Sequence, residues 1–501
     1  MLPLSRIIDR AANLHAHLPA VRQGPIRLTY GETIGRALRL AGFLVASGFR
    51  AGDRVAILAR NSFRYLEVNF ACAYAGLVLV PINIRLAPRE ISIIIAQTEA
   101  RLLFQAQAFD CSSMKTLAWD DDQSPGAANS YESAIASGSI LSRQVEPGLH
   151  DVFQIYFTSG TTGEPKGVCL TQQNMIASAL DAIMTLELSA DDVWFHAPPM
   201  FHLVDAWAIW AITLVGGRHV TEHFDPARFG ATVEAAKVTK VSLPPTLLDM
   251  IARDVSTRHF DFSSLDRISY GGSPMPEAVY RRCIVAFGCP LVQSYGTTET
   301  SGTICQQSPR DVAGKPWHDN VGQPLPLIDL RIVDDRGTSM PVGTVGELVV
   351  GGPRVMSGYW RKPELTAAAI SDGWYRTGDL GRRDADGNFA IVGRKKDMII
   401  TGGENVYPAE VENALLAHPS VAEAAVFGVP NDRWGEEVRA VVFLTDGNCV
   451  EPSDLLEHCR GLVGGYKVPK IVDISREPLP KSGAGKIAKA LLRESHLQRA
   501  P

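Results

Sequence analysis

The chain has no CxxC pair and no histidine and cysteine spacing of the kind that holds zinc. Its eight cysteines, at positions 72, 111, 169, 283, 289, 305, 449 and 459, are scattered, which points to buried or half-buried free thiols. A long apolar run is also missing. The longest nearly unbroken one, Phe70 to Ile82, falls short of the roughly 20 residues that a bilayer span needs and contains Gly76 and Pro81. It suits a buried helix running into a strand. Arg6, Asp9 and Arg10 interrupt the first apolar residues, unlike a secretory signal, so the expectation is a cytoplasmic chain with no transmembrane segment. Excess positive charge is absent too. With 49 Lys and Arg against 54 Asp and Glu the net charge is −5, and without a basic field a protein has no general means of displacing counterions from nucleic acid. Any bound polyanion must be held by a local site. No internal repeat is visible, and 46% hydrophobic with 21% charged residues is the composition of a globular protein, not a disordered one.

At 501 residues the chain exceeds one ordinary core and should divide into at least two domains. Apolar runs of strand length recur at Arg54 to Leu58, Leu77 to Ile82, Val238 to Leu243, Arg267 to Tyr270 and Leu291 to Ser294, with helical patterns between them. Continuous runs of this kind predict strands buried on both faces of an α/β sheet. Residues 105–150 are polar and irregular and read as a surface excursion. From about 325 to 390 short alternating strands with Gly and Asp turns predict a small antiparallel subdomain. A separate α+β pattern follows, with Met398 to Ile400, a helix over Ala409 to Ala417, and strands over Ala422 to Val429 and Val438 to Leu444. The boundary is expected at Arg394 to Asp397, giving units of 1–395 and 396–501.

The most informative stretch is Tyr156 to Val168, which places three glycines, four hydroxyls and a lysine directly behind the apolar segment Val152 to Phe157. Gly160 and Gly163 let backbone N–H groups approach an anion, Thr158, Ser159, Thr161 and Thr162 add donors, and Lys166 adds a cation. That is the chemistry of a phosphate cradle. It is not a Walker loop, because Pro165 precedes the lysine and Gly167 follows it, so the loop should turn back into a strand and not open a helix. A hydroxyl-rich surface hairpin is the bland alternative. Four later segments bear on the choice: Gly271-Gly-Ser-Pro274, Gln293 to Glu299, Tyr375 to Leu380 with Gly393 to Asp397, and Leu479 to Ile487.

Taken in order, these five segments resemble the adenylate-forming superfamily, and within it the acyl-CoA synthetases of the fatty-acid and aryl-acid branch. The resemblance spans nearly the whole chain, from Thr29-Tyr30 to Lys489. It implies a large N-terminal domain of α/β sheets with a small antiparallel β subdomain, and a smaller mobile α+β C-terminal domain. It also implies an enzyme that uses ATP, Mg²⁺ and CoA. Lys486 matches the lysine that bridges substrate carboxylate and α-phosphate. In the ATP and AMP site, Gly271, Gly272 and Ser273 approach the adenine and the acyl tail. Gln293, Gly296 and Thr297 belong to the same site, with Tyr295 against the adenine, Thr298 on the phosphates and Glu299 on the metal; Asp379 holds the ribose hydroxyls with Arg394 assisting. Lys396 is the hinge, and Gly402, Gly403 and Trp434 line the pantetheine tunnel.

His202 discriminates between substrate classes. Relatives that activate amino acids typically carry aspartate there to pair an ammonium, so histidine implies a simple carboxylic acid. The acyl pocket is expected beside Phe201, His202 and Trp207, with His202 also expected among the catalytic residues as a gate for the carboxylate, whereas Trp210, deeper in the run, reads as core. Because a carboxylic acid is already ionised near neutral pH, positioning and electrostatics should carry the chemistry without a general base. Gln172 departs from the histidine that many relatives carry. Two other readings remain: transfer to a carrier-protein phosphopantetheine, and a catalytically silent nucleotide-binding homologue, which the retained Lys486, Glu299 and Asp379 argue against. The assembly is expected to be a monomer or a homodimer.

Overall fold

The computed structural model describes residues 2–106, 109, 114–118, 130–142, 146–158, 165–308, 312, 317–431, 433–445, 447–481 and 487–497. The continuous apolar runs are strands covered on both faces, and Arg54–Leu58 shows why. Successive side chains leave a strand on opposite sides, so Val55 and Ile57 enter one core while Ala56 and Leu58 enter another. This strand lies in a seven-stranded sheet whose order is Gly358–Tyr359, Lys166–Thr171, Val152–Thr158, Val78–Pro81, Arg54–Leu58, Leu102–Gln105 and Lys115–Ala118. Pairing is parallel from Val152–Thr158 to Lys115–Ala118 and antiparallel on the other side.

A second sheet of nine strands includes the parallel neighbours Lys240–Leu243, Arg267–Gly271 and Leu291–Thr297, with Gly302–Gln306 antiparallel beside them. Five helices, Leu4–Leu14, Tyr30–Ala46, Phe63–Ala75, Gln172–Leu186 and Leu203–Val215, share a single core with both sheets and so lie between them. Trp194 points into that layer, while Val193 and Phe195 on the same strand point into the core on the far side. Thr171 starts the helix Gln172–Leu186 with a capping box closed by Asn174. Asn174 also donates through Nδ2 to the carbonyls of Pro353 and Val355, at 2.8 and 2.9 Å. Gln172 is buried and accepts from the Leu4 amide at 3.0 Å, so it anchors the N-terminal helix.

Residues 105–150 differ from the polar excursion expected of them. The described part contributes the edge strand Lys115–Ala118 and the helix Tyr131–Ser137, whose fully buried Tyr131 donates to Glu67 at 2.8 Å. Elements of four and seven residues are too short to show a period against polar neighbours.

The expected antiparallel subdomain is a five-stranded sheet of Asp329–Val333, Gly346–Gly351, Trp374–Arg383, Ile370–Ser371 and Phe389–Arg394. Its inner face, Leu330, Ile332, Leu348, Val350 and Phe389, packs on Ile304 and Cys305 of the second sheet. That contact carries Asp379 to the ends of the parallel strands. Beyond Arg394 a single turn, Lys395–Asp397, leads into a fourth sheet with its own core, which includes Ile399, Val411, Leu415, Val426, Val442 and Leu455. Lys395 pairs with Asp335 at 2.6 Å and Glu347 at 3.2 Å, tying this turn to the subdomain. Among the described residues no helix is long and apolar enough to cross a membrane.

Candidate active site

The site forms where the second sheet's parallel strands end. Arg267–Gly271 finishes at Gly271, where an added Cβ would stand 2.6 Å from the Ser294 carbonyl, so only glycine lets the two strand ends approach this closely. Gly272 follows with a φ of +82° and an open surface. Gly296 is crowded in the same way by the Gly302 carbonyl. Ser273 is exposed, whereas Gln293 is fixed, its side-chain carbonyl accepting from the Tyr270 hydroxyl at 3.2 Å and its amide donating to Gln307 at 3.1 Å. Thr297 precedes the single turn Thr298–Thr300, which presents Glu299.

Two carboxylates organise the hydrogen bonds at these strand ends. Asp379 is buried and accepts from the Tyr295 hydroxyl at 2.5 Å, while its other oxygen pairs with Arg394 Nε at 2.5 Å. Thr377 supports it, accepting from the Asp379 amide at 3.0 Å. Burial, then the Asp379 charge, hold the Tyr295 phenol well above its ordinary range. It therefore stays a donor at neutral pH. Burial opposes the Arg394 charge, but Asp379, together with Tyr295, Tyr375 and Glu299, outweighs it and the guanidinium is held more firmly protonated. Glu299 accepts from the Tyr359 hydroxyl at 3.1 Å, and its backbone carbonyl takes the Met356 amide at 2.9 Å. Tyr375 is bonded to Tyr359, and burial followed by Glu299 raises both phenols.

The sequence reading did not assign Tyr359 and Tyr375. Tyr375 opens the Tyr-Arg-Thr-Gly-Asp motif and could have been found there; Tyr359 carries no local signal. Lys166 lies with its Nζ 5.6 Å from the Tyr359 ring centre, a cation over an aromatic face. It pairs in register with Thr158, so the two strands form the hairpin that Pro165 led us to expect. Ser159, Gly160, Thr161, Thr162 and Gly163 lie outside the described residues.

His202 caps the helix Leu203–Val215, and its ring meets Phe201 edge to face at 4.8 Å. Trp207 is 6% exposed, donates to the Val204 carbonyl at 3.1 Å and packs edge-on against Trp194 at 5.0 Å. Trp210 is fully buried against Phe70 and Phe153, as its place in the run suggested. In the C-terminal unit Gly402 and Gly403 turn the hairpin between Ile399–Thr401 and Glu404–Val406, with φ of +59° and +84°. Trp434 covers that turn: the Gly402 amide donates to its carbonyl at 2.8 Å, and a Cβ on Gly402 would meet its ring at 3.1 Å. Lys396 is exposed in the connecting turn. Lys486 lies outside the described residues, but the chain on either side of it pairs at Lys481 and Ile487.

Two family models match this chain: the AMP-binding enzyme model over residues 8–360 and the AMP-binding enzyme C-terminal domain model over 410–486. The chain belongs to the AMP-binding enzymes. Feruloyl-CoA synthase of an Amycolatopsis species is 39% identical over 491 residues, covering 97% of each chain. Indoleacetate–CoA ligase of Aromatoleum aromaticum is 37% identical over 503 residues, covering 98% of each. Among solved structures, o-succinylbenzoate CoA synthetase from Bacillus subtilis in complex with its acyl-adenylate superposes with a TM-score of 0.87 at 28% identity, over 98% of both chains. The resemblance to the adenylate-forming superfamily and its CoA-ligase branch holds, and so does the α/β fold with a separate C-terminal sheet.

Proposed function

We propose that this AMP-binding enzyme is an ATP-dependent acid–CoA ligase. A carboxylate oxygen of the acid attacks the α-phosphorus of ATP, the bond to the bridging oxygen breaks, and pyrophosphate leaves. The CoA thiol, losing its proton, then attacks the acyl carbon, and AMP departs with the carboxylate oxygen. Such chemistry needs two anions held together and the leaving charge neutralised, so fixed donors and cations should dominate.

The observation that carries this reading is the Asp379 carboxylate, held by Tyr295 and Arg394 at the strand-end wall. A buried carboxylate so placed suits ribose hydroxyls, with the Tyr295 ring beside the base, Gly271, Gly272 and Ser273 along its edge, and Gln293 backing the strand end. Thr158, Lys166 and the loop between them, with Gly296, Thr297 and Thr298, would take the phosphates. Glu299 offers one carboxylate next to that space, a donor set that suits Mg²⁺, which usually keeps several waters and binds phosphate oxygens as well. When bound, the ion would neutralise phosphate charge. His202 and Phe201 would border the acid. Lys486, which lies in sequence between the paired residues Lys481 and Ile487, would supply the cation.

For the second step, a change at Lys396 would bring Gly402 and Gly403, with Trp434, to the pantetheine. Aromatic acids head the panel of candidates, because feruloyl-CoA synthase and indoleacetate–CoA ligase are named for such acids. The test is ATP–pyrophosphate exchange: it should require an acid and proceed without CoA, and exchange independent of acid would refute the reading. Thioester formation with CoA, compared with a carrier protein, identifies the acceptor.

A further inference from the structure

A cavity of about 30 Å³ lies between the helix Gln172–Leu186, the start of the helix Leu203–Val215 and the ends of the second sheet's strands. It is lined by Val204 and Trp207, on the first turns after His202, and by Ser294, next to Tyr295, so it borders the residues proposed to hold the acid. That places it on the acyl side. One wall is Trp207, whose indole N–H is already bonded to its own helix. The far end is different.

Ser242 and Ser269 stand side by side in register on adjacent parallel strands, and Ser294 follows on the next. All three line the cavity. Opposite them is Arg354, 1% exposed in its side chain, with Nη1 on Asp181 at 2.9 Å and Nη2 on Ser178 at 3.2 Å and the Ser301 carbonyl at 2.9 Å. Among the described residues its Nε has no hydrogen-bond partner. Asp181 holds the guanidinium in place, and a buried donor left unsatisfied is costly, so an acceptor brought into the cavity gains more there than it would in water.

We propose that this cavity is the far end of the acyl site and takes a ring hydroxyl carried by an aromatic acid, its oxygen accepting from Arg354 Nε and its proton going to a serine oxygen. Resting on the CoA-ligase reading, this names the substrate class. The volume accommodates a group of that size, since about 10–15 Å³ of such space is enough to admit one water-sized group. The ring itself lies along Trp207.

The experiment compares 4-hydroxy and 4-methyl members of benzoic, phenylpropanoic and cinnamic acids, by acid-dependent pyrophosphate release from the full-length enzyme. A methyl group matches the hydroxyl in size and removes only the hydrogen bonds. Because the methyl acid leaves a buried donor unpaired, the hydroxy acid should be favoured at the best chain length by about 10- to 100-fold in kcat/KM. Arg354→Lys keeps a charge for Asp181 but removes the Nε donor, and Ser269→Ala removes one oxygen with little change of shape; each should bring the ratio closer to one. Because the readout is the ratio, a general loss of activity leaves it legible. Equal or better use of the methyl acids by the native enzyme would overturn the proposal while the ligase reading stands, as would a ratio that survives both substitutions. No pyrophosphate from any acid of the panel would also overturn the proposal, whereas pyrophosphate exchange that needs no acid would remove the ligase reading with it.

Discussion

Replacing Asp379 with asparagine keeps the side chain's shape and removes its charge. The native carboxylate is shared by two short bonds, 2.5 Å to Tyr295 and 2.5 Å to Arg394, and in the proposed complex it would also accept from the ribose. A hydrogen bond to a charged acceptor contributes about 1.5–3 kcal/mol. Losing that charge should lower kcat/KM for ATP by about 10- to 150-fold, at roughly 1.4 kcal/mol per factor of ten. The fold should lose little. Arg394 retains 45% exposure of its side chain, so water can replace its partner, and pairs of this kind typically contribute about 1 kcal/mol or less. The assay is initial pyrophosphate release against ATP concentration, repeated with ATP analogues lacking one ribose hydroxyl. Native enzyme should be penalised by a missing hydroxyl, whereas Asp379→Asn should scarcely distinguish the nucleotides. Equal penalties in both proteins would refute the ribose assignment, and an unchanged kcat/KM for ATP would refute any contact.

Lys486→Ala should slow adenylate formation by at least about 100-fold, the scale of losing a charge-stabilising donor, and spare thioester formation from supplied acyl-adenylate; equal loss in both half-reactions would contradict its role. Lys396→Pro should fix φ in the connecting turn and depress thioester formation more than adenylation, and unchanged turnover would rule out alternation about this residue. Among the described cysteines only Cys449 is exposed, while burial pushes the thiols of Cys169, Cys283 and Cys289 up to about 12. A thiol reagent at pH 8 should modify Cys449 in the native protein and leave those three unreacted; labelling of any of them without unfolding would contradict their burial.

Much of the fold was legible because strands covered on both faces carry continuous apolar runs, as Val55 to Leu58 does within Arg54–Leu58, and because Pro165 rules out a helix after the glycine loop. Asp379 and Glu299 were legible because each sits in a motif of fixed spacing. Their partners were not all so placed. Tyr359 reaches Glu299 across 60 residues, from a two-residue edge strand with no period of its own. Arg354 follows a Gly-Gly-Pro turn that reads as a surface bend, yet the helix capped at Thr171 holds this segment through Asn174 and buries the guanidinium on Asp181. Nothing local in the sequence could announce either convergence, because both depend on which elements pack together. The strand and helix within 105–150 were missed for a simpler reason: each is shorter than the window in which periodicity shows.

The most direct test of the account is the product balance of the complete reaction with a competent acid, ATP, Mg²⁺ and CoA, followed by chromatography. The account predicts AMP, pyrophosphate and acyl-CoA in equal amounts, with acyl-adenylate accumulating on the enzyme when CoA is withheld. Formation of ADP and orthophosphate, or ATP cleavage that proceeds equally without acid, would contradict it.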